Sequence, residues 1–494
     1  AAATAVVEMA AMASSVAPPP EGMSQVEEKL AAIWGKYLGR QDIGPHQDVF
    51  DLGVDSLLSI RVIAEIRDTF ATDISLDSIF VLRTVAEQAE EIRRKLGADD
   101  TPAIPPISHY DHRGPAPLST SQKRLWIISQ LEGERTAYNN GFCMFLEGAD
   151  AAVLERAFRT VIERHSILRT RCLEIDGVPM QEVYDAFEFR MQFADLSHLE
   201  PESRYAEGER MWQEALSDPI DLRSDLMLRA KLVRYDARTE LLMVTQHHIC
   251  SDNWSNNLLM HEVSTLYDAY LTGGGDPLPP LSGQYIDYAP WQGAWLRTGV
   301  LERQLPYWSR TLANIPHVHN LPLDRPRPKY QSYRGQQYGR MVEPAVLDGL
   351  NRVARNNGAT LFMTMQAAFS LFLARYSGES DIVLGFSVAN RLQKELESVI
   401  GFFVNSLVLR SDLSGNPSFN EFLGQTKKNL LGAFANSHVP FEMLVDELKP
   451  ARSMSYEPIA QIQLIYLDQS QDQGGRVSSS AHQNDVLHAN MQGP

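Results

Sequence analysis

Six consecutive positions, His247-His248-Ile249-Cys250-Ser251-Asp252, put two imidazoles and a carboxylate within one short stretch, the groups needed to move a proton near neutral pH. They follow the apolar run Leu241–Thr245 and precede a stripe of Trp254, Leu258, Val263, Leu266, Tyr267 and Tyr270, so the spacing predicts a strand-to-helix turn. Side chains alternate on extended backbone, so one histidine faces a cleft while the other packs inward. Adjacent histidines lack the i, i+4 spacing of a helical zinc pair, and no metal site is expected. The start of the following helix opposes a positively charged imidazole and favours the neutral form, which can take a proton from an attacking amine. Acyl transfer needs such a base, together with hydrogen-bond donors for the oxyanion.

The second site is Asp51-Leu52-Gly53-Val54-Asp55-Ser56-Leu57, which places a serine at the start of a helix behind a glycine that permits a tight turn. Serine is a common N-cap. The same position suits a phosphodiester, because the first N–H groups of a helix and its dipole attract an anion. Asp55 works against that anion, so the dipole is not the whole account.

The elements that must carry these sites fall into two units. Ser24 to Glu27 forms a capping box, and Val26, Leu30, Ile33, Trp34 and Leu38 follow at helical spacing. Leu57, Leu58, Ile63, Ile66 and Phe70 make a second stripe and Val85, Ala89, Ile92 and Leu96 a third, so residues 22–97 read as a small helical bundle, and Glu21 to Gly97 carry a net charge of −5. Residues 1–21, which run into three prolines, and residues 98–117, with five prolines and no periodicity, read as linkers. From Leu118 helical stretches such as Ala151–His165 alternate with short β-rich runs such as Ile382–Leu384 and Leu407–Leu409, the pattern of α/β layers.

The composition narrows the function classes. With 494 residues, two to four domains fit, and 44% hydrophobic residues can fill real cores. A net charge of −17 argues against a nucleic-acid partner. Cys143, Cys172 and Cys250 are too few and scattered for a disulfide framework and suit a reducing, cytoplasmic setting. No apolar window is long enough to span a bilayer, so no membrane partner is expected.

Residues 22–97 resemble the peptidyl carrier (thiolation) domain of nonribosomal peptide synthetases, since DVFDLGVDSLLSIRVIAEI matches that family's D-x-F-x-x-x-G-x-[DH]-S-[LI] signature. Residues 118–469 resemble the condensation domain of the same synthetases, a member of the chloramphenicol acetyltransferase-like superfamily. The segments that carry this resemblance occur in family order. They are LSTSQKRLW at 118–126, RHSILRT at 164–170, the 247–252 core, YIDYA at 285–289, DRPRP at 324–328 with Tyr333-Arg334-Gly335, IGFFVN at 400–405 and HVPFE at 438–442.

The resemblance implies a multidomain chain: a small all-α four-helix carrier bundle, then an α/β condensation domain of two acetyltransferase-like lobes in a V, at 118–285 and 286–494. It implies 4′-phosphopantetheine on Ser56, and contact surface for partners at Leu57 and Ile60 to Ile63, with core packing for at least Ile63. His248 is implied as the central histidine, acting as base or as an orienting donor, with His247 and Asp252 architectural beside it. Asp252 is expected to pair with an arginine from the Arg164–Arg169 segment, Arg164 first. Phe402, Phe403 and Asn405 are implied to bridge the lobes, with Ser387–Arg391 leading into them; plain sheet core is an equal reading for the two phenylalanines. Asn253 stands where the family has glycine and is expected to narrow or re-aim the pocket.

Condensation of an L-configured donor with an acceptor on a downstream carrier is the implied activity, with an upstream adenylation domain and a phosphopantetheinyl transferase as partners. The alternative is a non-catalytic condensation-like platform that recruits tailoring enzymes. A strand is expected at Pro458–Leu467, and the polar stretch after it reads as a chain cut short.

Overall fold

The computed structural model describes residues 23–54, 56–70, 72, 74, 76–96, 104–110, 114–130, 136–332, 335, 338–391, 393–451 and 453–466. The linker expected at residues 1–21 lies outside them, as do Tyr333 and Arg334.

The amino-terminal bundle consists of α1 (Gln25–Leu38), α2 (Ser56–Phe70), α3 (Leu76–Val81) and α4 (Val85–Leu96). The capping box forms as the sequence implies: Ser24 accepts from the Glu27 N–H, and Glu27 reaches back to the Ser24 N–H. Leu30, Trp34, Val62, Ile66, Val85 and Ile92 are fully buried where the helical stripes meet, and Ile63 lies in the same core. The buried Trp34 indole donates to Gln88 Oε1 at 2.8 Å, which satisfies the one polar atom its burial would strand. Before α2 the chain turns at Gly53, whose φ of 100° falls in the left-handed region, so glycine is required there.

The larger unit opens with β1 (Ala116–Pro117), α5 (Thr120–Ser129), β2 (Asn139–Glu147), α6 (Ala151–Arg164), β3 (Thr170–Ile175), β4 (Val178–Val183), β5 (Gln192–Asp195), α7 (Pro201–Ser217), β6 (Leu228–Arg234) and β7 (Thr239–His247). Strands β2-β7-β6-β5 form one sheet, with β7 antiparallel to both neighbours. Burial on both faces of β7 follows from its alternation: Leu241 and Met243 pack with Trp212 of α7, Leu242 and Val244 with the core on the opposite face. The second half comprises α8 (Asn253–Leu271), α9 (Tyr285–Trp295), α10 (Leu301–Thr311), α11 (Pro344–Asn356), α12 (Leu361–Ser377), β8 (Asp381–Val388), β9 (Asn405–Asp412), α13 (Phe419–Ala435) and α14 (Phe441–Leu448). Here β8 and β9 pair antiparallel, and their apolar residues share a core with α12, α13 and α14.

Three sequence expectations change. Of the linker expected at 98–117, the described residues 104–110 and 114–117 pack onto the larger unit: β1 pairs with β4, Tyr110 N–H donates to the buried Asp287, and Pro105 O accepts from Trp291 Nε1. A proline-rich stretch lacks donors of its own but keeps its carbonyls, which a neighbouring surface can satisfy. Across the lobe boundary expected at 285/286 the core is continuous, because Tyr285, Trp291, Trp295, Leu296 and Val300 bury into the same cluster as α6 and β7. In place of a Pro458–Leu467 strand, Gln463 makes an isolated parallel bridge to Gly385, flanked by the bonds Gly385 N–H to Ile462 O and Leu464 N–H to Gly385 O.

Two motifs far apart in sequence meet across the lobes. Arg124 of α5 lies 3.8 Å from Glu442 of α14 and 3.0 Å from Glu457. The segment leading to β9 crosses in the other direction, with Leu396, Val399, Ile400 and Phe403 in the first lobe's core and Leu407 to Leu409 in the second's.

Candidate functional site

Strand β7 ends at His247, and His248–Cys250 makes a tight 3-10 turn before α8 begins. The alternation argument holds: His247 is 2% exposed while His248 is only partly buried. His247 Nδ1 accepts from the Ile249 N–H at 3.1 Å. Burial, then the neighbouring imidazole, lower its pKa to about 3, so it stays neutral.

His248 has a defined tautomer. Its Nδ1 lies 2.6 Å from the carbonyl oxygen of Ser251, which can only accept, so the ring proton sits on Nδ1. In the neutral ring Nε2 then carries the lone pair, and no described residue bonds to it. The ring rests on Phe402, with centroids 4.8 Å apart.

Asp252 is the hub that fixes this turn. Oδ1 caps α8 through the Ser255 N–H at 2.8 Å, and Oδ2 accepts from the Phe403 N–H at 3.1 Å. The expected pairing with Arg164 does not form: Asp252 is held by Arg391, 3.2 Å from Oδ1. Arg164, the last residue of α6, instead reaches Glu262 Oε1 at 3.1 Å and Pro279 O at 2.6 Å, and Glu262 stands ten residues along α8 from Asp252. Arg169 binds the Tyr184 carbonyl on the β3–β4 side and also takes no part at Asp252.

Arg391 is 6% exposed, and burial lowers its pKa although the Asp252 charge opposes the shift. It also donates to Leu396 O, to Val399 O at 2.7 Å and to Ser255 Oγ at 2.9 Å. Ser255 Oγ in turn donates to Gly401 O and accepts from Gly401 N–H. Gly401 admits no side chain, since a Cβ there would lie 2.0 Å from the Tyr285 ring. Tyr285 OH donates to Phe402 O at 2.7 Å, so the crossing segment is anchored on both sides.

The two readings left open for the phenylalanines resolve differently. Phe403 is 1% exposed core, yet neither residue lies in a strand, and Phe402 faces His248. Asn405 opens β9 and ties it to the HVPFE segment, donating to Ser437 O and Val439 O and accepting from Phe441 N–H. Asn253 is exposed at the first position of α8 and is not in the left-handed region, so the backbone does not demand a glycine there.

Sequence reasoning missed His165, which is fully buried. The Ile400 N–H donates to its Nδ1 at 3.3 Å, leaving Nε2–H to donate to Glu262 at 2.7 Å. The adjacent Arg164-His165 pair in a matched motif was the available signal. The three cysteines are buried and unpaired, and burial raises the Cys172 and Cys250 thiols to about 12, so neither is a ready nucleophile.

The family model for the condensation domain matches residues 112–492. The chain belongs to the condensation-domain family. A phosphopantetheine attachment site model matches residues 28–92, so the helical bundle is a carrier domain for covalent 4′-phosphopantetheine. A linear gramicidin synthase of Brevibacillus parabrevis is 38% identical over 441 residues, 89% of this chain. Malpibaldin synthetase of Mortierella alpina is 35% identical over 90% of this chain. The chain spans only 9% and 8% of those two relatives. Among solved structures, the X-domain in its complex with OxyB from teicoplanin biosynthesis aligns with a TM-score of 0.67 and 27% identity, over 74% of this chain and 80% of that one. The first condensation domain of the CDA synthetase shares the fold, with a TM-score of 0.59 and 22% identity over 72% of this chain and 83% of that one.

On the carrier, α2 begins at Ser56 directly after the Gly53 turn, so the first N–H groups of a helix stand at the serine that matches the attachment signature. No described helix is long and apolar enough to cross a membrane.

Proposed function

We propose that this chain forms an amide bond between a donor acyl group borne on its own carrier and the amine of an acceptor presented by a downstream carrier. The observation that carries this reading is the His248 tautomer: Nδ1–H is spent on Ser251 O, so Nε2 can accept the proton that an attacking amine sheds. Asp252 and Arg391 hold the turn that aims the ring, acting as positioning residues, and Phe402 fixes the ring's face. His247 remains neutral and inward and supports the turn through the Ile249 N–H.

Ser56 is the attachment residue in this proposal. When bound, the pantetheine arm supplies a thiol that holds the donor as a thioester. The carrier precedes the condensation domain in this chain, which favours the donor role, and LSTSQKRLW with Ala137-Tyr138-Asn139 favours an L-configured donor. Two lobes in a V with a passage between them would bring the arms to His248 from opposite faces. An adenylation domain upstream and a phosphopantetheinyl transferase complete the set of partners. Unpaired cysteines favour a cytoplasmic setting, and the charge of −17 argues against a nucleic-acid partner.

The test is reconstitution: the chain carrying a donor on Ser56 is mixed with a separate aminoacyl carrier, and mass spectrometry reads the acceptor. A donor-plus-acceptor mass on the acceptor carrier is expected; an unchanged acceptor carrier refutes the reading. The structural likeness to an X-domain solved with OxyB favours a second reading, a recruiting platform without turnover. The same unchanged acceptor carrier would select it.

A further inference from the structure

The contact between the two domains is built from a specific set of side chains next to the catalytic turn. On the carrier, Arg61 and Glu65 lie one helical turn apart on α2, on the same face. Glu65 receives Lys394 Nζ from the condensation domain at 3.0 Å, and is steadied within the carrier by Lys36 Nζ at 3.0 Å and Tyr37 OH at 3.1 Å. The Arg61 guanidinium covers the Trp254 ring at 5.0 Å, while Arg391 covers the same ring at 5.4 Å. Trp254 Nε1 donates to Glu397 O at 2.9 Å, which locks the indole in this orientation. The indole thus lies within 5.4 Å of both a carrier cation and the arginine that holds Asp252. Trp254 lies two residues past Asp252, and Arg61 sits about 7.5 Å along α2 from Ser56 at 1.5 Å per residue.

The apolar contact lies elsewhere: α3 packs on α13, and the carrier's core is continuous with that of the second lobe. Apolar packing supplies area with little discrimination, whereas an aromatic ring that requires a cation and a lysine that requires a carboxylate discriminate between partners. The pair Arg61 and Glu65 therefore presents a two-point pattern, a guanidinium followed one turn later by a carboxylate, that this surface can read.

We propose that Arg61 and Glu65 are the residues by which the condensation domain selects its donor carrier, read by Trp254 and Lys394. This rests on the donor assignment made above for the carrier. A carrier presenting an acid at the position of Arg61, or a base at that of Glu65, is rejected because it meets an aromatic face or a lysine of the wrong complementarity.

The experiment uses the full chain after phosphopantetheinylation and has a readout independent of turnover. A zero-length carbodiimide joins a carboxylate to an amine only in direct contact, and mass spectrometry locates the isopeptide. Wild type should yield both Glu65–Lys36, which reports a folded carrier, and Glu65–Lys394, which reports docking. Arg61→Ala and Trp254→Ala should each lower the second by about tenfold and leave the first. In turnover, Lys394→Glu should slow transfer of a carrier-borne donor about tenfold, Lys394→Arg should restore it, and a soluble thioester donor should react alike in all three. Formation of Glu65–Lys36 without Glu65–Lys394 in wild type overturns the proposal. So does a carrier-borne rate unaffected by Lys394→Glu. If wild type joins neither kind of donor, the amide-forming reading fails, while the crosslinks still decide the docking surface.

Discussion

Replacing Arg391 with methionine tests whether the His247–Asp252 turn is held by a buried ion pair. Asp252 and Arg391 are 4% and 6% exposed, and the closest nitrogen–oxygen distance is 3.2 Å. At an effective dielectric of about 20 that separation corresponds to ~5 kcal/mol of charge attraction, set against the desolvation of both groups. Methionine keeps the length but leaves the Asp252 carboxylate without its counter-charge, and Leu396 O, Val399 O and Ser255 Oγ each lose a donor. Breaking a buried pair from one side costs roughly 3–5 kcal/mol. Guanidinium unfolding, followed by tryptophan fluorescence, should show that loss in the condensation-domain transition. Adding Asp252→Asn, which keeps an oxygen to cap α8 but removes the stranded charge, should recover about 2 kcal/mol relative to the sum of the single changes. A loss under 1 kcal/mol for Arg391→Met, or strict additivity in the double variant, would refute the argument that this pair holds the turn.

Gly401→Ala should destabilise by about 1–3 kcal/mol, because its Cβ would fall 2.0 Å from Tyr285 and the crossing segment must shift; thermal unfolding measures it. His247, lowered to about 3 from 6.5, makes the unfolded chain the better proton binder between those values. Its contribution is therefore complete above pH 6.5 and declines as the pH falls, by about 1.4 kcal/mol per unit. In His247→Gln, denaturant titrations between pH 4.5 and 6.5 should show a slope smaller by about one proton, and an unchanged slope would contradict the burial argument. Ser56→Ala should abolish the mass gained on treatment with coenzyme A and a pantetheinyl transferase while leaving the circular dichroism unchanged.

What could be read from the sequence was whatever is local. The His247–Asp252 turn, the capping box at Ser24 and the Gly53 turn before Ser56 each lie within a few residues, and each formed where spacing and turn chemistry put it. Pairings across the chain could not be read this way. Asp252 is 139 positions from Arg391, and nothing in the composition of either segment distinguishes Arg391 from Arg164, which the topology places on Glu262 instead. The contacts made by the stretch expected as a linker have the same origin: prolines mark an irregular backbone, but whether Pro105 O meets solvent or the Trp291 indole depends on how the folded lobes present their donors. The crossing segment around Phe402 was legible as a motif, whereas its ring contact with His248 required the packed structure.

His248→Ala tests the central claim most directly. With donor loading on Ser56 measured in the same sample by mass spectrometry, the single-turnover rate of product formation on an acceptor carrier is compared with wild type. Loss of a positioned base predicts a fall of roughly 10²–10⁴-fold with loading intact. Product formed at the wild-type rate would contradict the account.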